Sequence, residues 1–362
     1  MFSKHKLIMN TENRFLIKKT RNAYKMFHEN GVNYLWHKVK RFFYHKLQFI
    51  IRKTFYPKAG YLLRKTAQKE FVENKLPLSI SIVIPVLGQH SLTKLCLNKI
   101  AENQMGDIEV VIIDNGGDFE IKKNELSEKI TKLKIIRPST ENTGVYPTFK
   151  YGMDNTAGDI VLFIHSDLLI DDNGFDTTLR YVFAKDKNIG LLGFVGSDEI
   201  NENGSRAWGT TSNFLGKTYS YNNETWKGLP SSFFGITYDG LTKAVVLDGC
   251  AMAINRDEWN KIGYRENRPP HHYYDRFISC QVLEIGYDIW VLGIGCDHIG
   301  GQVASKEKKY FNTAKMWCQK NNIEPIKDDS GNINWDITMH TEAKRLFLKE
   351  WRDEKKFIPR EI

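Results

Sequence analysis

The sequence predicts an α/β fold in which a mostly parallel sheet carries helices on both faces, preceded by a basic helical segment. Three observations lead to this class. Short, apolar runs rich in β-branched residues recur between residues 79 and 164, and segments with helical periodicity separate them. Two of the runs are followed by a carboxylate, Asp114 and Asp167. The first 75 residues lack such runs and are strongly basic.

The composition is that of an ordinary globular protein. The chain has 362 residues, of which 41% are hydrophobic and 26% are charged, enough for one large domain or two small ones. The five cysteines are an odd number, and no two of them form a CxxC pair. This pattern argues against a disulfide framework and against a structural zinc site, and it predicts a reducing compartment.

The basic charge is confined to the start of the chain. Residues 1–75 carry 18 Lys and Arg against 4 Asp and Glu, whereas the remainder carries 34 against 39. Residues 35–53 combine a basic face with an apolar, aromatic face at helical spacing, which is typical of an interfacial membrane helix. A helix packed on the main domain with its basic face in solvent explains the pattern equally well. No nucleic-acid-reading motif accompanies the charge, so a nucleic-acid partner is not expected.

The localisation follows from what the sequence lacks. No window reaches the roughly 18 consecutive apolar residues of a membrane-spanning helix, and the first 15 residues lack the apolar run of a signal peptide. We therefore expect a cytoplasmic protein, with residues 35–53 as a candidate peripheral contact with the inner face of the membrane.

The elements of the first half alternate between strands and helices. Ser91 is a plausible N-cap for the first of these helices. In order, we expect a strand at 79–86, a helix after Ser91, strands at 108–117 and 133–137, a helix at 148–155 and a strand at 159–167. In such sheets, ligands bind beyond the carboxyl ends of the strands, where Asp114 and Asp167 are expected to lie.

The second half is less regular. Residues 190–216 are rich in Gly, Ser, Asn and Thr, which predicts a long loop or ribbon over one end of the sheet. Residues 243–259 predict a strand, a glycine turn, a second strand and the start of a helix. A further helix is expected from Tyr274 to Ile285. We predict three regions: a basic segment at 1–75, a main domain at 76–304 and a charged helical tail at 305–362.

Seven segments occur in an order that resembles a known family. They are SIVIPV, VVIIDNGG, ENTGVYPTFKYGM, GDIVLFIHSD, LDGCAMAINRDEW, HHYYDRFISCQVLEIGYDIWV and DHIGG. This series resembles the inverting family-2 glycosyltransferases, which have the Rossmann-like GT-A nucleotide-sugar fold. The resemblance covers about residues 79–301 and leaves both ends of the chain outside it.

The resemblance implies a role for each matching residue. It implies contacts with a nucleotide-diphosphate sugar from Pro85, Val86, Asp114, Asn115, Asn142, Gly144, His165 and Asp167. It implies contacts with the acceptor from Asp248, Gly249, His271 and His272. By the same resemblance, Asp275 is the catalytic general base, and Asp167 and His298 bind the divalent cation, Mn²⁺ or Mg²⁺.

The sequence departs from the family pattern at three places. His165 stands where the first Asp of the metal motif is usual, so that Asp167 is expected to make the metal contact alone among residues 165–167. Leu87-Gly88 replaces the usual Tyr-Asn after the first strand. Tyr274 precedes the expected base, where Glu or Asp is common.

The proposed chemistry needs these residue types. A nucleotide-diphosphate leaving group gathers negative charge, which a divalent cation neutralises. One carboxylate suffices for Mg²⁺ or Mn²⁺, and an imidazole from His298 would favour Mn²⁺. The acceptor hydroxyl must lose its proton, and a carboxylate such as Asp275 within hydrogen-bond reach can take it. The acceptor is expected to be a glycan or a lipid-linked sugar in the synthesis of a cell-surface polysaccharide.

Structural explanations remain open for each residue. Asp114-Asn115-Gly116 is good turn chemistry, Asp167 could cap a turn, and Asp275 could favour a helix dipole. His298 could be an ordinary loop histidine.

Other functions also remain open. A non-catalytic sugar-nucleotide-binding or scaffold protein would use the same fold. A sugar nucleotidyltransferase usually has a glycine-rich basic loop after its first strand, and a dinucleotide-binding dehydrogenase has GxGxxG; neither motif occurs.

Overall fold

The computed structural model describes residues 59–358 except 231–235, 301–306, 328–329 and 356. It also describes five helical residues of the N-terminal segment, Trp36, Val39, Lys40, Phe43 and Leu47. Two compact units are present, Met1–Phe55 and Tyr56–Ile362. The amphipathic helix predicted at residues 35–53 lies outside the described residues apart from those five. None of the described helices is long and apolar enough to span a membrane.

The second unit alternates strands and helices, as the sequence predicts. The helices are α1 (59–72), α2 (His90–Asn103), α3 (Val145–Asn155), α4 (Phe175–Lys185), α5 (Arg256–Ile262), α6 (Tyr274–Glu284), α7 (Lys308–Lys320) and α8 (Trp335–Leu348). The first eight strands are β1 (Ile80–Val86), β2 (Ile108–Asp114), β3 (Lys132–Ile136), β4 (Ile160–Ile164), β5 (Leu168–Ile170), β6 (Ile189–Gly193), β7 (Val195–Ile200) and β8 (Arg206–Thr211). The others are β9 (Thr218–Tyr221), β10 (Glu224–Lys227), β11 (Ile236–Thr237), β12 (Leu241–Ala244), β13 (Val246–Leu247), β14 (Ala251–Asn255), β15 (Asp288–Leu292) and β16 (Cys296–His298).

An eight-stranded sheet forms the centre of this unit, in the order β12-β15-β6-β14-β4-β1-β2-β3. The strands β3, β2, β1 and β4 pair in parallel, as do β6 and β15, whereas β14 and β12 run antiparallel to their neighbours. The predicted mostly parallel α/β sheet is therefore confirmed. Val86 pairs with Asp114 at the end of β1 and β2, so the carboxyl ends of these strands share one edge.

Both faces of the sheet are buried under helices. Ile82 and Ile84 of β1 pack on one face in a core that also contains Leu92 of α2. Val83 faces the other way, into a core with Phe149 of α3. Because successive side chains of a strand point to opposite faces, a strand covered on both sides must be apolar throughout. This requirement explains the continuous apolar runs of the sequence.

Two local expectations are corrected by the structure. Ser91 is not the N-cap of α2: the helix begins at His90 after Gln89, which is left-handed with φ 51°, and Ser91 Oγ donates to Glu224 Oε1 at 2.8 Å. The region 190–216, expected to be a loop or ribbon, contains β6 of the central sheet. Its other strands, β7 and β8, form an antiparallel pair, which agrees with the ribbon alternative of that expectation.

The described part of the C-terminal tail packs onto the main unit. Phe347 of α8 lies against Phe277 of α6, with ring centroids 5.4 Å apart. Trp351, in the π-helical turn Lys349–Glu354 after α8, is fully buried in the same cluster. Helix α7 packs against α8 through a small cluster of Ala314, Cys318 and Met339. The boundaries proposed at residues 75 and 304 stay a prediction about domain organisation.

Candidate active site

A cavity of about 380 Å³ opens at the carboxyl edge of β1 and β4. Its wall is formed by Pro85, Val86, Leu87, Asn115, Asn142, Val145, His165, Ser166, Asp167, Arg206, Asp248, Gly249, His271, His272, Tyr273, Tyr274, Asp275, Arg276, His298, Tyr310 and His340. All of the site residues predicted from the sequence lie in this wall, with the exceptions of Asp114 and Gly144. The volume is within the usual range of ligand sites.

Asp114 lies beneath the cavity wall and holds a loop together. Its Oδ1 atom accepts hydrogen bonds from the backbone N–H groups of Gly116 and Gly117, at 3.1 and 2.8 Å. Its Oδ2 atom accepts from Phe119 N at 3.0 Å and from Arg137 Nε at 2.9 Å. The carboxylate is completely buried, and these four bonds occupy its acceptor positions. This is the turn chemistry that the sequence analysis left open for Asp114.

Gly144 also lies outside the wall, where it allows a close approach of two backbone segments. It precedes α3 with φ 93°, and a Cβ atom at this position would lie 2.7 Å from the carbonyl oxygen of Pro270. Its N–H donates to Asn142 Oδ1 at 2.9 Å. Gly144 therefore fixes the loop that carries Asn142, which does line the cavity.

Three side chains in the wall form a cluster of metal-ligand type, namely His165, Asp167 and His298. One ligand atom from each lies within 4.8 Å of the others. His298 Nε2 is 3.3 Å from Asp167 Oδ1, and His165 Nδ1 is 3.9 Å from the same oxygen. Two donors that are each about 2.1 Å from a shared cation lie about 3 Å or more apart, so the residues fit a divalent cation.

Local structure explains how these three residues meet. His165 follows β4, and its backbone N–H donates to Cys250 O at 3.0 Å. The short strands β5 and β16 pair antiparallel, with His298 opposite Leu168, the residue after Asp167. The sequence analysis paired Asp167 with His298 and assigned His165 to the nucleotide sugar. The structure brings the His165 ring into the same cluster.

Asp167 and His298 stabilise each other's charged forms. Burial opposes ionisation of Asp167, but His298 and then His165 offset it and lower the pKa of Asp167 to about 2. Burial likewise opposes protonation of His298, while Asp167 raises the pKa of His298 above its ordinary value. Burial lowers the pKa of His165, which favours a neutral imidazole. An ionised carboxylate and a neutral imidazole are the forms that bind metals, so His298 must release its proton when a cation binds, whereas Asp167 and His165 already favour the binding form.

Asp275 lies in the first turn of α6, at the same cavity, with two arginines nearby. Its Oδ1 atom accepts from the backbone N–H of Arg276 at 2.8 Å and from Arg276 Nη1 at 3.4 Å. Its Oδ2 atom is 3.8 Å from Arg206 Nη1. The carboxylate of Asp275 therefore lies in the cavity wall between two guanidinium groups.

Arg206 of β8 connects Asp275 to Asp248. Its Nη1 atom donates to Asp248 Oδ2, while Asp248 Oδ1 accepts from Cys250 N at 3.0 Å. Burial opposes ionisation of Asp248, but Arg206 outweighs it and holds the pKa of Asp248 well below its usual range. Asp248 thus enters the site as one half of an ion pair.

A histidine-rich end of the cavity is built partly by the C-terminal helices. His271 is buried, lies 3.4 Å from Asn142 Nδ2 through its Nε2 atom, and packs against Tyr310 of α7 with ring centroids 4.3 Å apart. Burial, together with the neighbouring charge of His272, lowers the pKa of His271 to about 3. His271 is therefore neutral at physiological pH. Its Nδ1 atom has no hydrogen-bond partner among the described residues.

Sequence reasoning missed several residues of the wall, notably Arg206, Tyr310 and His340. Arg206 stands alone in a segment predicted to be a loop or ribbon, and no local pattern marks it. Tyr310 and His340 belong to the tail beyond the family-like segments, so only the packing of α7 and α8 brings them to the cavity. Tyr274, which was not predicted as a site residue, carried a signal in the sequence, because it departs from the family pattern.

A parallel α/β sheet with carboxylates and imidazoles at its carboxyl edge defines the class of α/β proteins that bind ligands there. The family described as "Glycosyltransferase like family" matches residues 140–347, more than half of the chain. The match includes most of the C-terminal tail, which the sequence analysis wrongly placed outside the resemblance. The protein belongs to this family, which confirms the resemblance to glycosyltransferases.

Curated relatives match over shorter segments. A "PGL/p-HBAD biosynthesis glycosyltransferase" of Mycobacterium bovis is 33% identical over 89 residues, which are 24% of this chain and 34% of that protein. "Glycosyltransferase GlyA" of Streptococcus pneumoniae is 21% identical over 122 residues, which are 33% of this chain and 17% of that protein. The chain therefore covers about a third or less of the length of these relatives.

Solved structures of glycosyltransferases also align with the chain. The mannosyltransferase PcManGT of Pyrobaculum calidifontis, solved with GDP-Man and Mn²⁺, is 14% identical with a TM-score of 0.39, and the alignment covers 83% of this chain and 82% of that one. TarS of S. aureus is 12% identical with a TM-score of 0.39, covering 74% and 43%.

Proposed function

We propose that the protein is a metal-dependent, inverting glycosyltransferase that moves a sugar from a nucleotide-diphosphate sugar to an acceptor hydroxyl. The observation that carries this proposal is one cavity that contains both the His165, Asp167 and His298 cluster and the carboxylate of Asp275. Sugar transfer needs both functions, one for the leaving diphosphate and one for the proton of the acceptor. Membership in a glycosyltransferase-like family supports the same reading.

His165, Asp167 and His298 would hold a divalent cation, which neutralises the charge that gathers on the diphosphate when it leaves. Pro85, Val86 and Asn115, at the carboxyl ends of β1 and β2, lie where the nucleoside would bind. These residues line the same cavity as the cation ligands, which supports a nucleotide-sugar donor that extends from the sheet edge to the cation. The nucleotide base and the sugar are left open.

Asp275 is the proposed general base. A carboxylate that is ionised and open to the cavity accepts the proton of the acceptor hydroxyl as that oxygen attacks the anomeric carbon. Arg276 fixes the orientation of Oδ1 through its backbone N–H, and the guanidinium of Arg206 lies beside Oδ2. Attack from the side opposite the leaving diphosphate inverts the configuration of the sugar.

The acceptor would bind at the histidine-rich end of the cavity. His271 and His272 line this end, and the other two predicted acceptor contacts, Asp248 and Gly249, line the same cavity. A neutral imidazole such as that of His271 can donate or accept a hydrogen bond, which suits a sugar hydroxyl. A glycan or lipid-linked acceptor in polysaccharide synthesis is proposed from the sequence, as is a peripheral membrane contact through residues 35–53.

The test is a screen of nucleotide sugars by thermal unfolding of the full chain, with and without Mn²⁺. The proposal expects one donor to raise the unfolding temperature only when the cation is present. Asp275→Asn should keep this stabilisation and lose sugar transfer. A binding-only protein would show the stabilisation without any transfer in the unaltered chain, over a broad panel of acceptors, and that result would overturn the enzymatic proposal.

A further inference from the structure

We infer that Tyr274 is a positioning residue that turns His165 into the third ligand of the cation site. The site then offers two imidazoles and one carboxylate, and it selects Mn²⁺ or a similar nitrogen-accepting transition metal over Mg²⁺. This inference rests on the cation site of the proposed function. It assigns a role to two residues, Tyr274 and His165, that depart from the family pattern.

The two departures contact each other. The Tyr274 hydroxyl lies 3.0 Å from His165 Nε2, although the residues are 109 positions apart in the sequence. Tyr274 is buried in the wall behind His165, with its ring 5.7 Å from that of Phe149. The buried hydroxyl and the imidazole are therefore direct neighbours in the cavity wall.

The chain makes room for this contact. Gly249 lies directly behind the tyrosine, and a Cβ atom built at this glycine would be 1.9 Å from the Tyr274 hydroxyl oxygen. Any larger residue at position 249 would therefore displace the hydroxyl. Two independent features, the hydrogen bond and the glycine, thus hold the hydroxyl beside the imidazole.

The contact determines which nitrogen of His165 is available. Nδ1 points toward Asp167 Oδ1 at 3.9 Å, which is too long for a hydrogen bond but suits two ligands of one cation. When Nδ1 gives its lone pair to a cation, the ring proton must reside on Nε2. The Nε2–H group then donates a hydrogen bond to the tyrosine oxygen. Metal-bound histidines usually donate their second nitrogen in this way, which fixes the orientation of the ring.

The donor set then decides the metal. Mg²⁺ prefers oxygen ligands in an octahedral arrangement and retains several waters, whereas imidazole suits first-row transition metals. His165 and His298 supply two of the three protein ligands as nitrogen. With an aspartate at position 165 the same site would offer two carboxylates and one imidazole, which moves the balance back toward Mg²⁺.

The experiment measures cation binding to the purified full chain after removal of metal with a chelator, in the absence of any sugar nucleotide. Mn²⁺ binding is measured from the decrease of the electron paramagnetic resonance signal of free Mn²⁺. Mg²⁺ binding is measured from the concentration of Mg²⁺ that displaces bound Mn²⁺. Visible absorption of bound Co²⁺ reports the ligand field. The variants are Tyr274→Phe and His165→Asp, with Tyr264→Phe as the matched control, because Tyr264 lies outside the cavity wall and stacks on Tyr146.

The inference expects wild type to bind Mn²⁺ at least about tenfold more tightly than Mg²⁺. Tyr274→Phe should weaken Mn²⁺ binding by about 10- to 100-fold and change the Co²⁺ spectrum, whereas Tyr264→Phe should change neither. His165→Asp should lower the ratio of Mn²⁺ to Mg²⁺ affinity, which keeps the test decisive if the phenylalanine variant fails to fold.

An unchanged ratio in His165→Asp, or unchanged Mn²⁺ affinity in a folded Tyr274→Phe, would overturn the inference. Because no sugar nucleotide is present, these outcomes leave the proposed transfer reaction standing. Loss of transfer in Asp275→Asn with the predicted metal preferences intact would support both.

Discussion

The imidazole of His272 and the carboxylate of Asp336 lie 2.7 Å apart, measured from Nε2 to Oδ1, and join the cavity wall to helix α8. The hydroxyl of Tyr310 on α7 donates to the same Oδ1 atom at 2.9 Å. His272 and Tyr273 are left-handed, with φ angles of 61° and 58°, a conformation that costs non-glycine residues about 1 kcal/mol or more each. The C-terminal helices therefore stabilise a strained turn that carries three cavity residues, His271, His272 and Tyr273.

Replacing Asp336 with Asn should destabilise the protein and make the loss depend on pH. Burial opposes ionisation of Asp336, but the hydrogen bond and charge of His272, together with the Tyr310 hydroxyl, outweigh burial and lower the pKa of Asp336 below its ordinary value. A carboxyl group with a depressed pKa contributes stability above its unfolded pKa, and this contribution is lost as the pH falls through the folded pKa. We expect a loss of about 1 kcal/mol at neutral pH.

Thermal unfolding of wild type and Asp336→Asn between pH 7 and pH 3 checks this expectation. The difference in unfolding temperature should be largest near neutrality and should shrink below about pH 4. Asp154→Asn is the control, because Asp154 is an exposed residue that pairs with Lys150 one turn away on α3. A difference that grows as the pH falls would contradict the account.

Asp275→Asn should abolish proton transfer and leave donor binding intact. We expect the turnover number to fall by about 10²- to 10⁴-fold, because the amide cannot accept the proton of the acceptor hydroxyl. Steady-state kinetics and donor binding by calorimetry measure the two effects separately. Asp257→Asn is a matched control, since Asp257 is an exposed acidic residue in the first turn of α5. Equal losses of donor binding and turnover would argue for a structural role of Asp275.

Arg206→Gln should weaken both stability and catalysis. The substitution leaves the half-buried carboxylate of Asp248 without the guanidinium that pairs with it, at a cost of about 2 kcal/mol. The substitution also removes the positively charged guanidinium group that lies beside Asp275 Oδ2. Chemical denaturation measures the first effect and acceptor kinetics the second. Arg352→Gln, which alters an exposed pair with Asp353, should leave both unchanged. Full stability in Arg206→Gln would show that the ion pair contributes nothing.

Gly249→Ala should disturb the cavity by displacing Tyr274. An added methyl group would lie 1.9 Å from the Tyr274 hydroxyl, so the ring or the backbone must move, at a cost of about 1–3 kcal/mol. Gly295→Ala is the control, because its Cβ atom would meet Asp172 only at an ordinary contact distance of 3.6 Å. Denaturant unfolding of the two variants compares them. Equal stability of both would mean that Tyr274 is not held against Gly249.

The parts of the fold that were predictable are those in which each segment carries its own signal. β1, β2 and β4 are continuously apolar because both faces of the sheet are covered, and this property can be read without knowing the neighbours. The position of Asp167 beyond a strand of the sheet follows from the same reasoning. Asp275 was found only through the resemblance to a family.

The parts that could not be predicted depend on contacts between distant segments. Asp114 satisfies every sequence criterion of a ligand-binding carboxylate, yet its acceptor positions are filled by its own loop and by Arg137. The partnership of Asp336 with His272 requires α8 to pack beside α6. Arg206 reaches the cavity because β8 pairs with β7, in a region whose composition predicted a loop or ribbon without showing which residues pair.

The most direct test of the account is anomalous diffraction at the manganese edge, from crystals of the protein grown with Mn²⁺ and a nucleoside diphosphate. The account predicts one strong anomalous peak bound by His165, Asp167 and His298, with the diphosphate on the side of Pro85 and Asn115. A nucleoside diphosphate bound in the cavity with no manganese at these three residues would contradict it.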